Sequence, residues 1–314
     1  MTGLKIISTG KGLPRRAVTN DDLSQVVDTS DEWIRKRTGM QVRCHVDETE
    51  NSLSLAAAAG REAIEAAVAS GQVSREDIKV VLVATLSADN YTPSTACLLQ
   101  KELGLGTDII ALDINSACSG FVFGMETLRG LLMSTGAKAG LLVGVEVLSR
   151  KLDMTDRGTC VLFGDGAAAA VATLDESKLY RAVTGVQSDW DMIHCQVPDG
   201  HITMDGQGTY KFAVATVPGL IKQTVEAAGL DMDEIDCFLM HQANLRIIES
   251  IATKLKQPME KFVVNIEKYG NTSAASVGLA MADANEAGRL KRGDKVLICA
   301  FGAGKSYGAV VMEW

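Results

Sequence analysis

A cysteine stands where an apolar segment turns into a helix with small residues on one face. The segment 109–114 reads IIALDI, and Cys118 follows it in SACSGF. After the turn, Phe121, Met125 and Leu128 recur at helical spacing. Unpaired N–H groups and the positive helix dipole at such a start favour a thiolate and a developing oxyanion, so we expect a lowered thiol pKa. The pattern predicts a cysteine nucleophile; a buried structural cysteine is the common alternative.

A nucleophilic cysteine needs a base or a hydrogen-bonding partner, and the chain has 4 histidines. His241 ends the apolar run CFLM and begins HQANLR ahead of a predicted helix. Asn271, in YGNTSAAS, occupies the corresponding turn one unit later. Because functional groups collect at the carboxyl ends of strands in α/β sheets, we expect Cys118, His241 and Asn271 to converge.

Two other patterns could be mistaken for functional sites. His194, Cys195 and His201 in HCQVPDGH suggest a metal site, but a structural zinc needs four ligands and the fourth is not evident. We therefore expect no metal. The run FGAGKS at 301–306 lacks the spacing of a phosphate-binding loop, which argues against nucleotide hydrolysis.

Composition narrows the class of protein. The chain has 314 residues and a formal net charge of −8, which argues against a general nucleic-acid binder. Its 7 cysteines have no paired CxxC spacing, which favours a reducing compartment. No signal-peptide core or membrane-length apolar run is evident. We expect a cytoplasmic protein that binds neither nucleic acid nor membrane.

The predicted elements occur twice in the same order. The first half comprises a strand at 4–8, short helices in TNDDL and DTSDEWIRKRTGM, a helix at 54–69, a strand at 80–84, a helix at 94–103, a strand at 109–114, a helix from Cys118 to about 134, and strands at 140–145 and 167–172. The second comprises helix 212–228, strand 236–240, helix 244–255, strand 262–265, helix 273–287 and strands 295–301 and 307–312. Alternating strands and helices predict two similar α/β halves packed in layers.

Several motifs, in order, make the chain resemble the β-ketoacyl-[acyl-carrier-protein] synthase III family, the priming condensing enzymes of bacterial fatty acid synthesis. They are TNDDL, DTSDEWI, ACSGF, TDRGT, LFGDGA, HQANLRI, GNTSAASV and the FG turn at 301. The resemblance implies a thiolase-like fold of two duplicated βαβαβαββ-type halves in an αβαβα arrangement. The halves would be 1–174, with the cysteine, and 175–314, with the histidine and asparagine.

The resemblance also implies a reaction. An acyl-CoA primer, acetyl-CoA or a somewhat longer or branched one, would acylate Cys118 and condense with malonyl-acyl-carrier-protein, giving 3-oxoacyl-carrier-protein, CoA and CO2. His241 and Asn271 would hydrogen-bond the malonyl thioester oxygen. The backbone N–H groups of Cys118 and Ala303 would form an oxyanion hole. No cofactor is expected, because the CoA thioester is a substrate.

The same resemblance assigns binding residues. Trp33 and Arg157 would stack on the adenine of CoA, with Arg37 at the nucleotide. The acyl pocket would include Thr92 and Phe301, in a homodimer whose Thr92 loop reaches the partner's pocket. Carrier-protein contacts would come from seven residues: Gln242, Ala243, Asn244, Leu245, Arg246, Lys211 and Lys254.

The chain departs from the family pattern in FGAGKSYG, where FGGG is usual. Ala303 would be strained if its position needs a positive φ. Lys305 would face solvent or offer a cation to a primer with a terminal carboxylate. Three alternatives stay open: a related enzyme that primes secondary-metabolite or biotin-precursor synthesis, a cysteine acyl-CoA hydrolase or acyltransferase, and a non-catalytic acyl-CoA-binding protein.

Overall fold

The first of two central sheets is formed by five strands in the order β1-β7-β6-β4-β5. The computed structural model describes residues 2–176, 179–196 and 200–314. The strands of this sheet are β1 Gly3–Gly12, β4 Ile78–Ala84, β5 Ile110–Ile114, β6 Ala139–Glu146 and β7 Gly166–Asp175. β4 and β6 are buried along almost their whole length, as expected for apolar strands covered on both faces.

The second sheet repeats the pairing of the first. Its order is β11-β12-β13-β8, with β8 Tyr180–Val186, β11 Cys237–Met240, β12 Lys295–Gly302 and β13 Ser306–Glu313. β11 runs parallel to β12, whereas β13 is antiparallel to both of its neighbours, β12 and β8, just as β7 is antiparallel to β6 and β1. This repeat confirms the predicted pair of similar α/β halves. The boundary between residues 174 and 175 stays a prediction.

The strand predicted at 262–265 is wrong. A single parallel bridge between Phe238 and Phe262 stands where the first sheet has β5. Side chains supply the hydrogen bonds that a neighbouring strand would otherwise make. Arg289 donates to the Phe262 carbonyl at 3.0 Å, and the Gln242 amide donates to the Val263 carbonyl at 3.0 Å. The backbone groups are satisfied without a strand.

The described part of the chain forms ten α-helices, and six of them build three layers that alternate with the two sheets. The ten are α1 Asn20–Ser24, α2 Asp31–Thr38, α3 Ser52–Ala69, α4 Thr95–Glu102, α5 Gly120–Thr135, α6 Arg157–Cys160, α7 Gly206–Ala227, α8 Leu245–Leu255, α9 Ile266–Tyr269 and α10 Ala275–Glu286. α5 and α10 lie between the sheets, α3 and α4 cover the first sheet, and α7 and α8 cover the second. The order is the predicted αβαβα arrangement. No helix in the described part of the chain is long and apolar enough to cross a membrane.

Two small antiparallel strand pairs that the pattern does not predict lie outside the two central sheets. β2 Arg16–Thr19 pairs with β3 Val42–His45, and β9 Ile193–Cys195 pairs with β10 Ile202–Met204. The strands have only three or four residues, too few for an alternating pattern to stand out. β9 and β10 lie between β8 and α7 in the chain.

Close packing at two glycines brings the starts of the central helices together. A Cβ on Gly120 would lie 3.2 Å from the Cβ of Ala274, and one on Gly144 would lie 2.6 Å from the Ala274 carbonyl oxygen. A larger side chain at either position would push the turn before α10 away from the turn before α5. The glycines therefore place residues near Ala274 beside the Cys118 turn.

Candidate active site

Cys118 lies in a 3-10 turn, Ala117–Ser119, that leads directly into α5. Ala117 has a φ of +46°, an uncommon conformation for a non-glycine residue, and the Ser119 hydroxyl lies 3.0 Å from that of Ser306. Burial raises the pKa of the Cys118 thiol to about 12. The expected lowering of this pKa is therefore wrong, because burial disfavours the charged thiolate.

His241 follows β11 and is held by the second sheet and by α10. Its backbone N–H donates to the Cys299 carbonyl at 2.8 Å, and its Nδ1 lies 2.6 Å from the Ser276 hydroxyl. The ring is 5.4 Å from that of Phe301 in an edge-on arrangement. Burial lowers the His241 pKa to about 3, so the ring is neutral near pH 7. A neutral ring with Nδ1 accepting from Ser276 carries its proton on Nε2.

Asn271 is fixed by its backbone and its amide oxygen. Its N–H donates to the Leu162 carbonyl at 2.9 Å, and its carbonyl accepts from the Gly164 N–H at 2.9 Å. Its Oδ1 accepts from the Ser273 N–H at 2.9 Å. With the oxygen occupied in this way, the Nδ2 hydrogens are the free part of the side chain, and they are donors.

One cavity brings the predicted catalytic residues together. It has a volume of about 360 Å³, and its lining includes Cys118, His241, Asn271, Phe301 and Ala303. A neutral imidazole and an amide thus share a mostly apolar cavity with a thiol. Donors that face a mostly apolar cavity stabilise negative charge on an oxygen better than they would in water.

The glycine-rich turn after β12 lies against the nucleophile. A Cβ on Gly302 would come within 2.8 Å of the Cys118 Cβ. The positive φ values in this turn belong to Gly304, at +69°, and Lys305, at +46°, rather than to Ala303. The strain considered for Ala303 is therefore absent, and Ala303 lines the cavity beside Cys118.

Lys305 and Thr92 lie away from the cavity of their own chain. Lys305 Nζ pairs with an Asp189 oxygen at 2.5 Å, and Lys305 is not part of the cavity lining. Thr92 is exposed and also outside the lining, and its neighbour Tyr91 is 81% exposed. Thr92 can contribute to an acyl pocket only if a second chain supplies that pocket.

The residues predicted to bind the nucleotide of CoA do meet at the surface. Both Arg157 and Arg37 place a guanidinium over the Trp33 ring, at 4.9 and 5.9 Å from its centroid. Arg157 also donates to the Asp28 carbonyl at 2.8 Å. At this distance the Arg157 guanidinium is already in contact with the indole, so it must move before an adenine can lie between them.

The residues predicted to contact the carrier protein divide into surface and buried positions. Arg246, Lys211 and Lys254 are exposed, and Arg246 lies over the Tyr210 ring at 5.6 Å. Ala243, Asn244 and Leu245 are half-buried; the first two line the cavity, and Leu245 packs against Gly39. Gln242 contradicts the prediction because its side chain is 1% exposed. Its amide donates hydrogen bonds to the Met240 and Val263 carbonyls, and the side chain therefore connects two backbone segments inside the fold.

The residues considered as metal ligands have other contacts. The His194 ring stacks on Trp190 with centroids 4.6 Å apart, and Cys195 Sγ lies 3.1 Å from the Gly200 carbonyl. His194 and Cys195 line the mouth of the cavity, whereas His201 is exposed. Within the described ranges, no cluster of three or more His, Cys, Asp or Glu side chains is arranged to hold a metal.

Three polar residues next to this site escape the sequence analysis. Ser276 orients His241, Ser273 lines the cavity, and Glu146 is fully buried behind it. Both serines lie in the quoted motif GNTSAASV, so a motif signal exists for them. Glu146 follows an apolar strand without any motif of its own, and only packing reveals its place.

The cavity, its thiol and its two neutral donors, set between duplicated α/β halves, define a condensing enzyme of the thiolase fold. Two family models match the chain: 3-oxoacyl-[acyl-carrier-protein] synthase III over residues 112–187 and the C-terminal region of the same family over residues 225–314. β-Ketoacyl-[acyl-carrier-protein] synthase III of Clostridium acetobutylicum is 40% identical over 100% of this chain and 99% of its own length.

Solved structures agree with these matches. The crystal structure of 3-oxoacyl-[acyl-carrier-protein] synthase III from Aquifex aeolicus has a TM-score of 0.94 at 40% identity, covering 99% of this chain and 100% of its own. The priming β-ketosynthase from the R1128 polyketide biosynthetic pathway has a TM-score of 0.93 at 30% identity, covering 99% and 96%. The chain belongs to the 3-oxoacyl-[acyl-carrier-protein] synthase III family, and it is a condensing acyltransferase.

Proposed function

We propose that Cys118, His241 and Asn271 carry the two half-reactions of a decarboxylating condensation that starts fatty acid synthesis. As a member of its family, the enzyme acts on acyl-CoA and malonyl-acyl-carrier-protein and needs no cofactor. In the first half-reaction the Cys118 sulfur attacks the primer thioester, an acyl-cysteine forms, and CoA leaves as the thiol. The N–H groups of Cys118 and Ala303 stabilise the oxyanion.

In the second half-reaction the malonyl thioester enters the same cavity. Its carbonyl oxygen accepts hydrogen bonds from His241 Nε2 and Asn271 Nδ2, the two donors left free by their fixed partners. Loss of CO2 leaves an enolate whose charge these donors stabilise. The enolate carbon attacks the acyl-cysteine carbonyl, which gives 3-oxoacyl-carrier-protein and frees the Cys118 thiolate.

The observation that carries this proposal is the shared cavity of one thiol and two neutral donors. A histidine with a pKa of about 3 is a poor base at neutral pH but remains a good donor, which suits enolate stabilisation. The same geometry argues against a simple cysteine hydrolase, where the histidine would have to accept the thiol proton.

Intact-mass measurement after exposure to a panel of acyl-CoAs tests the first half-reaction. The added mass should match each acyl group, and Cys118→Ser should abolish it. Cys160→Ser, which changes a buried cysteine outside the cavity lining, is the matched control and should acylate normally. An adduct on another cysteine, or release of free acid without malonyl-carrier-protein, would refute the assignment.

The assembly we propose is a homodimer in the cytoplasm. β5 is an edge strand of the first sheet, pairs with β4 alone among the described strands, and consists of half-buried, mostly apolar residues. An edge of this kind is a template for another strand, and a two-fold pairing of β5 with its own copy would cover it. The exposed loop at Tyr91 and Thr92 would then reach the partner's cavity. A fully active monomer at micromolar concentration, seen by sedimentation, would exclude this arrangement.

The carrier protein would dock on the basic surface formed by Arg246, Lys211 and Lys254, next to the cavity entrance. These cations lie on α7 and α8, which pack against each other, and Lys254 Nζ ties the two helices by donating to the Val214 carbonyl at 2.7 Å. Lys211→Glu should raise the KM for malonyl-carrier-protein and flatten its salt dependence, with little effect on acylation by acyl-CoA, because Lys211 lines neither the cavity nor the surface pocket that holds Trp33 and Arg37. Glu249→Lys, on the neighbouring helix α8, is a control of opposite charge change.

A further inference from the structure

Two buried hydroxyls join the turn that holds the nucleophile to the turn that holds Ala303. Ser119 follows Cys118 at the start of α5 and has no measurable exposure, whereas Ser306 begins β13 of the second sheet and is 6% exposed. Their hydroxyl oxygens lie 3.0 Å apart, although 187 positions separate the two residues in the chain. Buried hydroxyls cost free energy unless they are hydrogen-bonded, so a contact of this kind next to a nucleophile needs a physical reason.

The number of protons fixes the direction of these hydrogen bonds. The Ser306 hydroxyl donates its one hydrogen to the Ala303 carbonyl at 3.0 Å. Ser119 is therefore the donor in the hydroxyl pair, and its hydrogen is shared between the Ser306 hydroxyl and the Ser306 carbonyl, which lies 3.2 Å from Ser119 Oγ. A directed chain of hydrogen bonds thus runs from the residue after the nucleophile to the carbonyl of Ala303.

The turn that carries Ala303 is a three-residue connection between β12 and β13. The last pair of their ladder joins Gly302 to Ser306, so the three residues between them lie beyond the ladder. Gly304 and Lys305 both have a positive φ, which is uncommon for a lysine and persists only where surrounding contacts hold the backbone. The N–H and the hydroxyl of Ser306 both donate to the Ala303 carbonyl. This carbonyl is therefore a point at which the turn is tied to the strand.

The same turn also lies directly against the nucleophile through Gly302. A Cβ on Gly302 would come within 2.8 Å of the Cys118 Cβ and 3.1 Å of the Cys118 backbone nitrogen. Cys118, Gly302 and Ala303 line one cavity. The two turns are thus joined twice, by the close approach of Gly302 to Cys118 and by the hydroxyl pair of Ser119 and Ser306.

We propose that Ser119 and Ser306 are positioning residues that set the distance between the two N–H donors of the oxyanion hole. The inference rests on the proposed function, which assigns those donors to Cys118 and Ala303. Ser119 holds Ser306, and Ser306 holds the Ala303 carbonyl, so the orientation of the backbone at Ala303 follows the nucleophile turn. Neither serine lines the cavity, and neither exchanges a proton in the reaction. Their effect is on the geometry of the hole, whose donors must lie within hydrogen-bond distance of the oxyanion.

Rapid-quench mass measurement of acyl-cysteine formation, over a range of acyl-CoA concentrations, tests this role. Ser306→Ala removes the side-chain donor to Ala303, and Ser119→Ala removes the donor to Ser306. Because a donor is displaced rather than deleted, we expect each variant to lower the limiting acylation rate on the order of tenfold. The acyl-CoA concentration that gives half of this rate should stay close to the native value. Ser306→Thr keeps the hydroxyl and should acylate at the native rate.

The double variant tests whether the two serines act in one chain. If Ser119 acts through Ser306, then adding Ser119→Ala to Ser306→Ala should cause no further loss of rate. Ser8→Ala is the matched control, because Ser8 is as buried as Ser306 and its hydroxyl also donates to a backbone carbonyl, that of Ala63 on α3. This control should acylate at the native rate. Thermal unfolding of each variant separates loss of fold from loss of rate.

Alkylation of Cys118 by iodoacetamide separates the oxyanion hole from the nucleophile itself. This reaction displaces iodide and develops no oxyanion, so Ser119→Ala and Ser306→Ala should be alkylated at the native rate. Equal slowing of alkylation and acylation would show that the serines hold Cys118 rather than the hole, and would overturn the proposal. Native acylation rates in both variants, a further loss in the double variant, or slow acylation by a stably folded Ser306→Thr would do the same. Absence of acyl-Cys118 in the native enzyme would instead refute the proposed function.

Discussion

The Nδ1 atom of His241 and the hydroxyl of Ser276 lie 2.6 Å apart, although 35 positions separate them in the chain. Ser276 is on the first turn of α10, while His241 follows a strand of the second sheet. The contact therefore couples the helix that packs between the sheets to the donor in the cavity. A hydroxyl can donate to Nδ1, and in that direction the contact leaves the imidazole proton on Nε2, which is the tautomer that the proposed enolate site requires.

Ser276→Ala should weaken the second half-reaction without harming the first. Without its partner the His241 ring can place its proton on either nitrogen, so only part of the enzyme keeps a donor in the cavity. We expect malonyl decarboxylation by preformed acyl-enzyme to fall on the order of tenfold. Ser134→Ala, a surface hydroxyl near the end of α5, is the control. Equal loss of acylation and decarboxylation would contradict a role through the tautomer.

His241→Ala and Asn271→Ala should each remove one enolate donor. The expected loss of malonyl turnover is about 10²-fold or more, the usual effect of deleting one oxyanion donor in a dry site. Both variants should still form the acyl-enzyme, since neither side chain is needed to attack the primer. Mass measurement of the acyl-enzyme and CO2 release from malonyl-carrier-protein read the two steps separately. A variant that neither acylates nor decarboxylates would show that the steps are not divided in this way.

Two buried groups should make the free energy of unfolding depend on pH, and their contributions should change with pH in opposite directions. The folded pKa of Glu146, about 7, lies above the value of about 4.3 for an exposed glutamate, so its contribution is lost as pH rises between them. The folded pKa of His241, about 3, lies below the ordinary value of about 6.5, so its contribution is lost as pH falls between them. From about pH 4.5 to 6.5 the two should nearly cancel.

Single substitutions separate the pH dependence that each of the two groups contributes to the free energy of unfolding. The free energy of unfolding of Glu146→Gln should rise with pH relative to the native enzyme, by up to about 1.4 kcal/mol per pH unit in this window. That of His241→Gln should fall with pH by a similar amount. Urea unfolding at fixed protein concentration measures both. Parallel pH curves for the native enzyme and both variants would mean that neither group has a shifted pKa.

The residues around the cavity differ in how far the sequence predicts their positions. The Cys118 turn, His241 and Asn271 follow local rules, since each ends an apolar strand and begins a helix. Glu146 ends β6 and Ser273 lies 127 positions further on; the turn that holds Ser273 packs against this part of the first sheet because Gly120 and Gly144 leave room for Ala274, which no local pattern shows. The thiol pKa was mispredicted for the same reason: a helix start is visible in sequence, whereas the depth of burial is a property of the whole fold.

Arg157 and Trp33 should contribute to recognition of the CoA nucleotide but not to the chemistry. Arg157→Ala and Trp33→Ala should raise the KM for acyl-CoA with a smaller change in kcat. An acyl-pantetheine, which lacks the nucleotide, should react equally with the native enzyme and both variants. Arg35→Ala, on α2 and paired with Asp31, is the control for loss of a surface cation. A variant that also loses activity on acyl-pantetheine would place the effect in the acyl channel instead.

The enzyme should use acetyl-CoA and should accept somewhat longer primers at least as well. Thr92, at the tip of an exposed loop, would close the partner's pocket with a small side chain, leaving room beyond Cys118. Each additional buried CH2 contributes about 0.8 kcal/mol of binding, which favours four- and five-carbon primers. Because Asp189 holds Lys305 away from the cavity, we expect no preference for a primer with a terminal carboxylate, and Lys305→Ala should not change primer choice.

Competition between acetyl-CoA and isobutyryl- or butyryl-CoA, read by the mass of the acyl-enzyme, decides primer choice. The longer primer should match or exceed acetyl in acylation rate, and Thr92→Phe should reverse the order by filling the space. Tyr91→Ala, which alters the same loop without adding bulk at position 92, is the matched control for loop disturbance. If the native enzyme strictly prefers acetyl and Thr92→Phe changes nothing, then another side chain ends the pocket. Leu86 and Phe301, which line the cavity near Cys118, are the residues to test next.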